Sequence, residues 1–234
     1  MIMDVNGINI NLYGGIQLEV DIQNYKYKSE YTLLTNSLTP VELSTTETLK
    51  SIKADILFRG NNRDEILSNI SRFMMLLKGE VIIKLDGYSN SFKVYLENDS
   101  IEKKNSKRKY KLKLEFKGYS MKDEIVENIN GISSKTINMQ GTQVTPVVVE
   151  ITPTTELVDI TLEGLADDPI MIKNLSANKT VILDGELQKV TVDGVNKYGD
   201  TDMWDFPRLK PGANTIKVSR NNCDIKIKYK PRFI

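Results

Sequence analysis

The chain has no histidine among its 234 residues, and it has one cysteine and one tryptophan. Without an imidazole, the Ser-His-Asp and Cys-His nucleophile systems are excluded, as are the usual catalytic zinc sites. The lone Cys223 has no internal disulfide partner. It alternates with Ile225, Ile227 and Tyr229 along one face of a predicted strand, which marks it as a buried thiol. Charge of one sign is also lacking: 32 Lys and Arg face 31 Asp and Glu, so no global field draws the protein toward nucleic acid or a membrane surface. No apolar run approaches the ~18 residues of a membrane span. Asp4 and Asn6 follow Met1 where a secretory signal would carry a basic and then an apolar stretch. The expectation is a soluble product made in a cytoplasm.

Carboxylates are plentiful, but Asp167-Asp168 and Asp200/Asp202 stand among turn residues, where aspartate ordinarily caps or turns the backbone. They are read as turns rather than as acid/base or metal pairs. No catalytic, cofactor-binding or metal-binding residue is predicted.

The first half, residues 1–128, reads as an α+β domain with one helix. Ile52, Ala54, Ile56 and Phe58 alternate with more polar positions, the pattern of a strand with one buried face. In the segment that follows, Ile66, Ile70, Phe73, Met74 and Leu77 form one helical stripe. Asn62 can cap it, Asp64 and Glu65 suit its first turn, and Lys78-Gly79 supplies the stop. Strands are predicted at 16–22, 81–85, 91–96 and 110–116, with an Asp86-Gly87 turn. The 32–46 region, with Pro40, reads as a long polar loop, the kind that often carries contacts. A basic run, Lys103, Lys104, Lys107, Arg108 and Lys109, lies between two strands without interleaved aromatics to stack bases. It reads as a solvated hairpin tip that could also rim a protein contact.

Residues 122–143 are polar and read as a linker or first edge strand. From there to residue 234 the chain reads as β throughout, with strands at 147–151, 158–162, 169–173, 181–183, 188–192, 215–218 and 225–229, the spacing of a sandwich or jelly roll. Asp184-Gly185 and Asp193-Gly194 are hairpin signals that permit positive φ. In MWDFPRLKPGANTIKVS, Pro211-Gly212 fits a type II turn and Pro207 argues against a central strand. The stretch reads as a corner. Trp204, Phe206 and Leu209 are expected to fold beneath it as packing, the other reading being an exposed aromatic platform for a ligand.

Four phrases of the second half occur in an order that resembles the distal tail proteins of long-tailed phages, the phage tail component or baseplate hub family. They are Leu183-Asp184, Asp193-Gly194, the run from Phe206 to Ile216 with Pro207, Leu209, Pro211, Gly212 and Asn214, and the closing Tyr229 to Phe233. The order of strand, Arg59-Gly60, helix, strand and Asp86-Gly87 in the first half is similar as well. The resemblance implies a mainly β protein with one helix, made of an N-terminal ring-forming domain (1–128, barrel or sandwich plus helix) and a C-terminal galectin-like β-sandwich (129–234). It further implies a virion structural protein rather than an enzyme. Such a protein forms a homohexameric ring at the tail tip, joining the tail tube protein to the tail-associated fibre or lysin protein and in some cases to a receptor-binding protein. No cofactor, nucleic-acid specificity or membrane insertion goes with it. The run 196–209 is the longest interruption in the second half, so a compact hub without an accessory carbohydrate module is expected. The alternative function is a carbohydrate-binding module using Trp204 with Tyr198 nearby, and the least favoured is a carboxylate glycan hydrolase.

Overall fold

The computed structural model describes residues 2–103 and 108–234. The chain divides into two compact units that meet at Met121/Lys122 rather than at the expected 128/129. The shift has a plain cause: residues 125–130 pair along residues 224–229, within the second unit.

The first unit contains β1 (Asp4–Val5), β2 (Ile8–Asn9), β3 (Gly15–Gln23), β4 (Tyr27–Thr32), β5 (Val41–Glu47), β6 (Lys50–Arg59), α1 (Arg63–Met75), β7 (Glu80–Lys84), β8 (Ser91–Lys103) and β9 (Lys109–Met121). An antiparallel sheet runs in the order β2-β1-β7-β8-β9-β6-β3. Its apolar face carries Ile52, Ala54, Ile56 and Phe58 beside Leu112, Leu114 and Phe116, all buried. The helix forms where its stripe was expected, and Ile66, Ile70 and Phe73 are buried in the same cluster. Asn62 Oδ1 accepts the Glu65 N–H at 2.9 Å, which satisfies one of the donors that a helix start leaves unmatched, while Glu65 Oε2 accepts the Asn61 N–H just before the cap at 2.8 Å. Each buried side chain of the stripe contributes about 1.5–3 kcal/mol relative to exposure. On the other face of the sheet, alternate residues form a ladder of ion pairs: Lys111 with Asp55, Lys113 with Glu102 at 3.1 Å, and Lys117 with Glu97 at 3.7 Å. The alternation in KLKLEFK is this division between a buried and a solvated face.

The second unit contains β10 (Ile125–Asn130), β11 (Ser134–Met139), β12 (Thr145–Pro153), β13 (Leu157–Glu163), β14 (Ile170–Leu175), β15 (Val181–Asp184), β16 (Lys189–Val192), β17 (Val195–Asn196), β18 (Thr201–Asp202), β19 (Arg208–Leu209), β20 (Gly212–Val218), β21 (Cys223–Tyr229) and β22 (Arg232–Phe233). Two antiparallel sheets, β10-β21-β12-β15-β16-β17 and β11-β20-β13-β14-β18, share one core between their inner faces. The polar segment read as a linker supplies an edge strand to each sheet, β10 and β11. Cys223 is a buried free thiol, and desolvation pushes its pKa up.

One hairpin signal acts differently from expectation. Asp193-Gly194 takes positive φ at both residues (50° and 79°), the geometry of a type I′ connection. Gly185 does not take positive φ; the left-handed residue of that connection is Gln188, at φ 53°. Gly185 is instead required by close approach, since a Cβ there would lie 2.2 Å from the Pro207 carbonyl oxygen.

Candidate assembly interface

The expected polar loop over 32–46 is not a loop along its whole length. Strands β4 and β5 pair with each other in a separate two-stranded sheet, in register from Tyr27↔Glu47 to Thr32↔Val41 with a bulge at Glu30/Tyr31. The sequence hid this because the hairpin has no buried face, and period-two hydrophobicity appears only where one face packs against a core. Its base is closed by Lys26 N–H on Thr48 Oγ1 at 2.9 Å and Thr48 N–H on the Lys26 carbonyl at 3.0 Å. Ser29 and Thr45 hydroxyls meet across the strands at 2.8 Å. Tyr27, Tyr31, Leu33, Leu34, Leu38 and Leu43 are each more than half exposed. A two-stranded hairpin is marginally stable by itself in water, and a cluster of exposed Leu and Tyr on it has the character of a contact surface.

The basic tip falls at the end of the long β8–β9 hairpin. Lys103 pairs with Tyr110 across the ladder, Lys109 pairs with Arg59, and Lys103, Arg108 and Lys109 are exposed. Lys104 and Lys107 lie outside the described residues. The hairpin arm and this basic tip are separate features of the first unit.

The signature stretch forms a corner of the second unit. Leu209 and Pro207 are buried, and β19 pairs with Thr145 and Pro146 of β12. Gly212 takes φ +88°, as the second central position of a type II turn requires. Asn214 then locks the turn: its Oδ1 accepts the Lys210 N–H at 2.9 Å, and its Nδ2 donates to the carbonyls of Lys210 (2.7 Å) and Gly212 (2.9 Å). Arg208 bridges Asp167 at 2.7 Å and Asp205 at 3.0 Å, and Lys210 reaches Asp167 at 2.8 Å. The hydrogen bond and charge of Lys210, with the charge of Arg208, hold the Asp167 carboxyl below the usual carboxylate range. Asp200 is lowered similarly, by hydrogen bonds from Lys197 and Asn174.

Trp204 is the exception, because it is 88% exposed and packs no core. Phe206 is half-buried, packs against the sandwich core and stacks on Tyr198 with ring centroids 6.0 Å apart. The two aromatics were expected to share one fate, and the loop separates them because its backbone has no regular period to assign faces. No group of three or more His, Cys, Asp or Glu among the described residues is arranged to hold a metal ion.

Residues 140–233 match the model of the siphovirus-type tail component, C-terminal domain. That match spans most of the second unit. No curated protein sequence matches the chain. Among solved structures, the Dit protein of phage SPP1, described as a paradigm of hub adsorption apparatus in phages infecting Gram-positive hosts, superposes with a TM-score of 0.81 at 13% identity. That match covers 100% of this chain and 99% of the other. A chain of the phage p2 baseplate in its activated conformation with strontium matches with a TM-score of 0.55 at 11% identity, covering 100% and 99% of the two chains. The corresponding calcium structure matches with a TM-score of 0.54 at 11% identity, covering 97% and 94%. The tail component domain is thus one part of a fold that the whole chain shares with phage baseplate proteins. At the corner of the second unit, Pro207 and Leu209 are buried, while Gly212 and Asn214 hold the turn.

Proposed function

We propose that this protein is a structural hub of a phage tail tip, in which copies of the chain close into a ring, six in number, between the tail tube protein and the tail-associated fibre or lysin protein. The observation that carries the reading is the β4–β5 arm, a hairpin with two solvent-facing sides and six large apolar residues more than half exposed. Its occupant is the neighbouring copy. A head-to-tail contact repeated around an axis closes into a cycle, and the unpaired edges of a two-stranded sheet offer backbone groups for that contact. A chain of net charge +1 also escapes the self-repulsion that would oppose crowding several copies together. The whole-chain likeness to proteins described as baseplate and hub components supports the same reading. The exposed basic residues Lys103, Arg108 and Lys109 suit a second contact, with the tube or the fibre.

The solution mass tests this directly. Six copies of a 26.6 kDa chain give a particle of about 160 kDa, seen as a ring by negative stain. Replacing residues 27–47 with a short turn is expected to yield a folded monomer. A wild-type chain that stays monomeric at high concentration would sink the hub reading. Rings that form without the arm would remove the arm from it.

A further inference from the structure

The second unit holds a groove that neither ring formation nor the corner explains. It has a volume of ≈ 480 Å³ and is lined by Tyr198 and Phe206 together with Gln188, Lys189, Thr191 and Asn196. From its composition and its rigidity, we infer that this groove is a binding site for a neutral saccharide.

The two aromatic rings stack with an interplanar angle of 24°, and both residues line the groove, giving it an aromatic side. Tyr198 is 46% exposed and is not one of the buried core residues. A pyranose ring has one apolar C–H face, which an aromatic wall accepts, and a rim of hydroxyls that need donors and acceptors. The amides of Gln188 and Asn196 and the hydroxyl of Thr191 are groups of that kind. One lysine and no carboxylate line the groove. That balance suits a neutral ligand better than a phosphate, which asks for clustered cations or backbone amides.

The wall is also held before any ligand arrives. Asn196 Oδ1 accepts the Tyr198 N–H at 2.9 Å, and Thr201 Oγ1 donates to the Tyr198 carbonyl at 2.7 Å. The turn is tied further by Lys197 Nζ, bonded to Asp200 at 2.7 Å and to the Asn174 carbonyl at 2.9 Å. On the other side, Phe206 precedes Pro207, which is buried and whose carbonyl accepts the Val147 N–H at 3.1 Å. A fixed wall spares the ordering cost that otherwise weakens small-ligand binding. Trp204 does not line the groove, so this site is not the Trp204 platform that the sequence suggested.

The test is saturation-transfer NMR and calorimetry on the full chain with lactose, maltotriose, chitotriose and a rhamnose disaccharide. At least one should bind saturably with its ring protons in contact with the protein. Tyr198→Ala should weaken that sugar at least tenfold and Thr191→Val severalfold, while Trp204→Ala leaves it unchanged. Unchanged melting of each variant shows that the fold is intact. Absence of saturable binding across the four sugars overturns the inference. So does binding that survives Tyr198→Ala, or binding that Trp204→Ala alone abolishes. Ring assembly is scored on the same samples, so a failed sugar site and a failed hub are told apart.

Discussion

Asn214 shows how much one side chain can carry in a β corner. It is buried, and its amide makes three hydrogen bonds to the backbone of the turn before it. Asn214→Ala leaves the Lys210 N–H and two carbonyls without these partners, and the expected loss is about 1–3 kcal/mol in urea unfolding. Gly185 and Gly194 provide a contrast between two demands on glycine. Gly194→Ala meets open space at φ 79° and should cost about 1–2 kcal/mol from backbone strain alone. Gly185→Ala drives a methyl into the Pro207 carbonyl and should cost about 1–3 kcal/mol or more, with a visible shift of the corner in amide NMR spectra. Asp167 makes a pH prediction. Its folded pKa is depressed by Lys210 and Arg208, so its contribution is present above the unfolded value near 3.8 and is lost as pH falls through the folded value. Melting temperatures between about pH 5 and pH 2 should fall more steeply for wild type than for Asp167→Asn, and added salt should narrow the gap because the group is exposed.

Among the elements, the helix and the arm are opposites. The α1 stripe, its Asn62 cap and its acidic first turn are all legible, because a helix against a sheet must be apolar on one side only. The β4–β5 arm lacks that asymmetry, so its strands carry no period to read and its polar residues resemble a loop. Its exposure is legible only once its separate pairing is seen. Leu34→Ser with Leu38→Ser should leave the melting of the monomer nearly unchanged and abolish the ring in sedimentation. Amide exchange supplies an independent measure: arm amides should exchange fast in a monomer and be protected in the assembled particle. The strands of the second unit were legible for the opposite reason, each having one face in the sandwich core. The short β17, β18 and β19 were not, since two residues carry no period.

In the whole molecule, two cores are distinct, one under α1 in the first unit and one between the two sheets of the second. Residues 122–234 alone are therefore expected to fold cooperatively, with dispersed amide spectra and the saccharide groove intact. A collapsed, poorly dispersed spectrum would show that the sandwich needs the rest of the chain.

By itself the sequence determined the mainly β class, the single helix, the absence of imidazole chemistry and the Pro211-Gly212 turn of the corner. These follow from local rules, because alternation, capping and turn chemistry act over a few residues. Only the tertiary structure decided that residues 27–47 form an exposed hairpin, that Trp204 faces solvent while Phe206 stacks on Tyr198, and that Gly185 exists for the Pro207 carbonyl. Each depends on what lies opposite in space, and a residue's opposite neighbour is set by register and packing across the chain.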